Sequence, residues 1–258
     1  MAAGNRLGLH LKKAGYDCRL MVIPKTVDND IAAVDHAPGF PSAARHTAIT
    51  ISELAHDMYT YDTDLIMAVE VMGRNTGYLA AAAAAARKTG WGPDLIYVPE
   101  LTFDPEKFVK DVGEVVARKG KCLAVVAEGV KTADGKYLFE DTTVNKSEDP
   151  SRNMGGITPY LNMLLRRHFT CKIRCIDLGL MQRCAIHDAS EIDKTEAEML
   201  GREAVDRALA GESGRMMSLS RVGSSPYEVK TESLALEAVA DVERVMDLAY
   251  VRDNHAEI

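Results

Sequence analysis

The chain has 258 residues, 47% hydrophobic and 27% charged, with a formal net charge of −7. These are the proportions of an ordinary globular protein, long enough for two domains. The acidic balance, without any lysine- or arginine-rich run, argues against nucleic acid or an anionic membrane as the main partner.

No apolar run is long enough to span a membrane, and the first residues lack the basic-then-apolar pattern of a signal peptide. Five cysteines (Cys18, Cys122, Cys171, Cys175 and Cys184) are an odd number with no CxxC pair. They read as free thiols of a reducing cytoplasm rather than a disulfide scaffold or a thiolate zinc site.

Apolar runs alternate with helical patterns along the chain. Residues 5–14 read as the end of a helix stopped at Gly15. Cys18 to Ile23 reads as a buried strand closed by Pro24, and Ser42 to Met58 as a helix. Leu65 to Val71 is a second strand, followed by a helix from Asn75 to Lys88 with a run of alanines. After the short strand Leu95 to Val98, Asp104-Pro105-Glu106 is a strong helix start, with a capping acid and a proline in the first turn. That helix runs to about Lys119.

Leu123 to Ala127 is a strand, Ile157 to Phe169 a helix and Ile173 to Leu178 a strand. Lys131 to Asn153 is the longest polar loop and holds the turn signal Asp134-Gly135. Two helices follow, at Asp193 to Ala210 and Leu234 to Leu248. Such alternation predicts an α/β fold with a parallel sheet, whose ligands gather where strands end.

Four strand ends carry chemistry. After the first come Lys25, Thr26, Asp28 and Asp30: two carboxylates that can accept a hydroxyl proton, and a lysine that can neutralise phosphate charge. The same residues also suit an ordinary turn. After the second come Met72-Gly73-Arg74-Asn75-Thr76-Gly77, a glycine-flanked arginine before a helix. It reads as an anion site or as a plain strand-to-helix turn. Glu128-Gly129 offers a carboxylate to sugar hydroxyls or a turn cap. Arg174 within the last strand and Arg183 after it suit phosphate or solvent. The seven histidines show no metal-ligand spacing and read as surface or capped residues.

Taken in order, Pro24-Lys25-Thr26-Val27-Asp28-Asn29-Asp30, Pro38-Gly39-Phe40, Val69-Glu70-Val71-Met72-Gly73-Arg74, Val98-Pro99-Glu100, Ala127-Glu128-Gly129 and Leu178-Gly179 with Gln182-Arg183 resemble the phosphofructokinases. The resemblance covers residues 1 to about 215. It implies a three-layer, parallel-sheet fold of two similar domains, the first truncated at its N-terminus. One domain would comprise residues 1–39 and about 183–233, the remainder of the donor-binding part. The other would comprise about 40–182 and 234–258 and bind fructose 6-phosphate.

The resemblance further implies transfer of a phosphoryl group to the 1-hydroxyl of fructose 6-phosphate in a cytoplasmic homo-oligomer that uses Mg2+. Asp28 would be the general base, with Lys25, Thr26, Asp30 and Arg74 assisting. Thr26 and Asp30 would position phosphate, metal-bound water and the base. Val27, Met72, Gly73, Arg74, Glu128, Arg174, Leu180 and Arg183 would contact the substrate, Arg174 in a neighbouring subunit's site. Leu180 stands where the family usually has histidine or tyrosine, so that hydrogen bond would be lost.

Lys25 marks pyrophosphate as the donor; ATP is the alternative, and an inactive fragment or non-catalytic subunit the third reading. The family's glycine-rich loop and its Mg2+-binding aspartate are expected upstream of residue 1, so no metal ligand is assigned here. Without them the 258-residue chain is expected to have little activity and marginal stability.

Overall fold

The computed structural model describes residues 1–138, 156–252 and 255–256. In chain order the main elements are α1 (Ala2–Lys13), β1 (Met21–Val22), α2 (Phe40–Tyr59), β2 (Leu65–Val71), α3 (Tyr78–Ala82), β3 (Leu95–Tyr97), α4 (Pro105–Lys119) and β4 (Lys121–Ala127). They continue with α5 (Thr158–His168), β5 (Lys172–Asp177), α6 (Glu191–Leu209), β6 (Arg215–Ser224), β7 (Tyr227–Ala235) and α7 (Leu236–Val239). None of the described helices is long and apolar enough to cross a membrane.

The chain divides into two compact units. One comprises Met1–Ala43 and Ile186–Arg244, the other Ala44–Ala185 and Val245–Ile258.

The second unit is built on a four-stranded sheet in the order β3-β4-β2-β5, every pairing parallel. β2 and β4 are buried along their whole length. That is the pattern of a parallel sheet covered on both faces. Ile51, Ala55 and Met58 recur at helical spacing on α2 and are buried in the same core as Phe108 and Val112 of α4 and Leu161 and Leu165 of α5. The alanine run supplies Ala80, Ala81, Ala83, Ala84 and Ala86 to this core. Asp104 caps α4 as its sequence demands, accepting the N–H of Glu106 at 2.9 Å and of Lys107 at 3.2 Å.

The first unit holds a three-stranded sheet, β1-β6-β7. β1 and β6 are parallel, whereas β6 and β7 form an antiparallel hairpin. Neighbouring β6 residues enter different clusters: Met216 packs with Val34, Leu236 and Val239, Met217 and Leu219 with Leu200 and Ala204 of α6. This is the alternation of a strand covered on both faces.

Several sequence expectations change. The strand expected over residues 18–23 contracts to Met21–Val22. The helix expected over 75–88 becomes short α3 plus a 3-10 segment, Ala83–Thr89. The expected helix over 234–248 does not form. Leu234 pairs with Met216 in the hairpin, α7 lasts four residues, and Asp241 adopts a left-handed φ of 59°. Leu234, Leu236 and Val239, part of the apolar pattern that suggested a helix, instead pack with Met216 of the small sheet. The hairpin itself had no place in the sequence reading, so the sheet is not wholly parallel. At Asp134-Gly135 the turn is present: Thr132 N–H bonds the Lys136 carbonyl at 3.0 Å and Gly135 has φ 78°. The rest of that loop, from residue 139 to 155, lies outside the described residues.

Candidate active site

The segment after β1 is tied down by its own backbone. Thr26 N–H bonds the Pro38 carbonyl at 3.2 Å, and Thr26 Oγ1 accepts the Asp28 N–H at 3.1 Å. Asn29 is buried with φ 59°, a conformation that asparagine tolerates. Its Oδ1 accepts the Ala37 N–H at 3.1 Å. The Asp30 carbonyl accepts the Arg244 N–H at 2.8 Å. Lys25 is exposed, Thr26, Asp28 and Asp30 half-buried, and Val27 buried. The loop therefore has one backbone course, with Asn29 buried inside it and Lys25 exposed.

Two buried carboxylates beneath this loop escaped the sequence reading. Asp193 accepts the N–H of Gly39 at 2.9 Å and of Ser42 at 3.1 Å, and the Ser42 hydroxyl at 2.5 Å. It satisfies donors at the start of α2. Glu196, three residues on, accepts from His36 Nε2 at 2.7 Å and from the Tyr227 hydroxyl at 2.5 Å.

His36 is buried and also bonds Asp35 at 2.8 Å through Nδ1, unlike the surface or capped histidines expected. Burial disfavours the Asp35 carboxylate, yet bonds from Arg221 and His36 outweigh it and hold its pKa below the ordinary value. Burial and the Glu196 bond push the Tyr227 hydroxyl up. The only sequence signal was the presence of acids on the inner side of α6.

In the other unit, the loops after β2, β4 and β5 meet at the carboxyl end of the sheet. A cleft of about 250 Å3 there is lined by Glu70, Val71, Met72, Glu128, Gly156, Asp177, Gly179 and Leu180. Glu128 N–H bonds the Val71 carbonyl at 2.9 Å, and Gly129 N–H the Gly73 carbonyl at 3.1 Å. Arg74 Nε lies 3.7 Å from Glu128 Oε1. Gly73 has φ 131°, and an added Cβ would sit 2.5 Å from the Thr76 carbonyl oxygen. At Gly129 a Cβ would sit 1.9 Å from the Arg74 carbonyl oxygen. Glycine at 73 lets the Arg74 loop fold back on itself, and glycine at 129 lets the two loops touch. Glu100 closes the far end of the Arg74 loop, accepting the Gly77 N–H at 2.9 and 3.1 Å.

The structure thus brings Met72, Gly73, Arg74, Glu128 and Leu180 together. It does not bring Arg174 to them. Arg174 lies within β5 opposite Met67, bonds the Tyr61 hydroxyl at 2.7 Å and pairs with Asp57 at 3.6 Å. Arg183 is exposed at the end of a 3-10 turn, Gly179–Arg183. Glu70, Asp177 and Gln182 are additions that sequence reasoning missed. Glu70 was the visible signal, a carboxylate in the otherwise apolar strand Leu65–Val71.

A family profile described as Phosphofructokinase matches residues 4–208. The pyrophosphate–fructose 6-phosphate 1-phosphotransferase of Methylococcus capsulatus is 34% identical over 93% of this chain and 57% of its own length. A sulfofructose kinase of Alkalicoccus urumqiensis is also 34% identical, over 95% of this chain and 63% of its own. An ATP-dependent 6-phosphofructokinase of Nostoc sp. is 32% identical over 72% of this chain. The crystal structure of a pyrophosphate-dependent phosphofructokinase from Marinobacter aquaeolei superposes with a TM-score of 0.86 at 29% identity, over 100% of this chain and 61% of that one. The chain therefore spans about three fifths of the length of these pyrophosphate-type relatives.

Proposed function

Because the chain belongs to the phosphofructokinase family, we propose that it serves phosphoryl transfer from pyrophosphate to the 1-hydroxyl of fructose 6-phosphate. The product is fructose 1,6-bisphosphate, in a reversible step of glycolysis. The observation that carries this reading is the grouping of Met72, Gly73, Arg74 and Glu128 where β2 and β4 end. A carboxylate that accepts sugar hydroxyls stands there beside a guanidinium that attracts phosphate.

Phosphoryl transfer asks for positioning and for charge opposite the moving group. Asp28 accepts the proton of the 1-hydroxyl as it attacks phosphorus. Thr26 holds the Asp28 backbone through its hydroxyl, which fixes the stretch of chain that carries the base. Arg74 and Lys25 balance the charge that shifts to the leaving phosphate. Arg183 serves the 6-phosphate, and Arg174, turned toward Tyr61 and Asp57, serves a second copy in a homo-oligomer. Mg2+ takes oxygen ligands and, when bound, neutralises the donor's phosphates. The half-buried Thr26 and Asp30 would position phosphate and the water bound to such an ion.

Pyrophosphate is favoured over ATP by Lys25. It is favoured also by the pyrophosphate-named relative, 34% identical over 93% of the chain, against 29–32% over 72–88% for ATP-named ones. One observation favours a second acceptor, sulfofructose. Leu180 lines the cleft and is 62% exposed, and a leucine gives up a hydrogen bond that a sulfonate monoanion needs less than a phosphate dianion.

The test is phosphoryl transfer to fructose 6-phosphate, measured with pyrophosphate and with ATP. It is run on the 258-residue chain and on the chain extended by whatever its upstream coding sequence adds. Turnover with pyrophosphate supports the proposal, and turnover with ATP only overturns the donor. Absence of transfer and of sugar phosphate binding in both forms overturns the function and leaves the non-catalytic reading.

A further inference from the structure

Gln182 is 2% exposed, yet its amide is satisfied at both ends. Its Oε1 accepts the Met72 N–H at 2.9 Å, and its Nε2 donates to the Gly179 carbonyl at 3.1 Å. The place of these bonds matters. β2 and β5 are neighbours in the sheet, and their pairing runs out at Glu70 and Asp177, with one further bond from Leu178 N–H to the Glu70 carbonyl at 3.2 Å. Beyond that point the strands part. The Gln182 amide, which has the donor and acceptor of a peptide unit, spans the gap as one more rung.

We infer that Gln182 is a positioning residue, which holds the Met72-Gly73-Arg74 loop and the Gly179–Arg183 turn at the spacing that the acceptor sugar requires. The two segments it joins carry Met72 and Leu180 into the same cleft. Without the amide, the Met72 N–H and the Gly179 carbonyl lose partners that little water can replace. The loops then drift apart, and ligand groups no longer reach both. The ligand named here rests on the acceptor reading above; the geometry does not.

The experiment uses the full chain and two variants, Gln182→Leu and Gln182→Glu. Amide hydrogen exchange reports on Met72, and calorimetry reports fructose 6-phosphate affinity. Gln182→Leu is expected to speed Met72 exchange at least about tenfold, weaken sugar phosphate binding about tenfold and lower the thermal midpoint by several degrees. Gln182→Glu keeps an acceptor for Met72, so Met72 protection returns while the Gly179 bond is lost. Protonation at low pH restores that donor, so affinity relative to the native chain recovers as pH falls.

Folded variants with native Met72 exchange and native affinity would overturn the inference. Should Gln182→Leu not fold, Gln182→Glu decides, native affinity at neutral pH being the contrary result. If the native chain binds no fructose 6-phosphate while Met72 exchange still responds to Gln182→Leu, the positioning role stands and the acceptor reading falls.

Discussion

The Glu70 carboxylate, at the end of β2, accepts both the backbone N–H of Thr158 at 2.8 Å and its hydroxyl at 2.5 Å, 88 positions along the chain. Glu70 is 4% exposed, so these bonds compensate the burial of a charge. They also place that charge at the start of α5, where the helix dipole favours it. Gly156 makes room, since a Cβ there would lie 2.9 Å from Glu70 Oε2. Glu70→Leu should therefore cost roughly 2–4 kcal/mol in urea unfolding, and Glu70→Gln distinctly less. Equal stability for all three forms would contradict this role.

As the proposed general base, Asp28 carries a kinetic expectation. Asp28→Asn keeps the size of the side chain and, through Thr26, the course of the backbone. Turnover should fall by about 10²- to 10⁴-fold with little change in KM for fructose 6-phosphate. A variant with native turnover removes Asp28 from the chemistry.

At Gly129 the close approach of the Arg74 carbonyl leaves no space for a methyl group. Gly129→Ala should push the Arg74 loop aside, destabilise the unit by about 3 kcal/mol and lower sugar phosphate affinity. Unfolding and calorimetry on the same sample measure both effects. Gly135→Ala, at a turn with open space but φ 78°, should cost about 1 kcal/mol and leave affinity unchanged.

Stability should depend on acid through Asp35. Its folded pKa lies below the ordinary carboxylate value because Arg221 and His36 outweigh burial. A depressed folded pKa stabilises above the unfolded value of about 3.9 and is lost as pH falls through the folded one. The native chain should thus be more stable than Arg221→Ala at pH 6, with the gap narrowing below about pH 4. Urea midpoints measured across that range check the sign. A gap that widens in acid would contradict it.

Leu180 offers a test of acceptor choice. Leu180→His places a hydrogen-bond donor on the cleft wall. Affinity for fructose 6-phosphate should rise relative to sulfofructose, by roughly 1 kcal/mol or several-fold. Titration of both sugars into both proteins measures the ratio, and an unchanged ratio would take Leu180 out of the acceptor site.

The sequence by itself determined the elements whose causes are local. β2 stood out as an apolar run over Leu65–Val71 broken by Glu70 alone, and α4 as an Asp-Pro start running to about Lys119. It also determined the family, because the chemical residues follow strand ends in a specific order. Tertiary structure decided what depends on partners far along the chain. Leu234 became strand rather than helix because Met216 pairs with it, and Glu70 is tolerated in an apolar strand because Thr158 meets it. Gln182 looked like a neighbour of Arg183 until the fold placed its amide against Met72. Arg174, two positions beyond Lys172 on the same strand, turned to Tyr61 instead of the cleft. A buried polar group is stable only with a partner, and which residue supplies it is fixed by packing rather than by proximity in sequence.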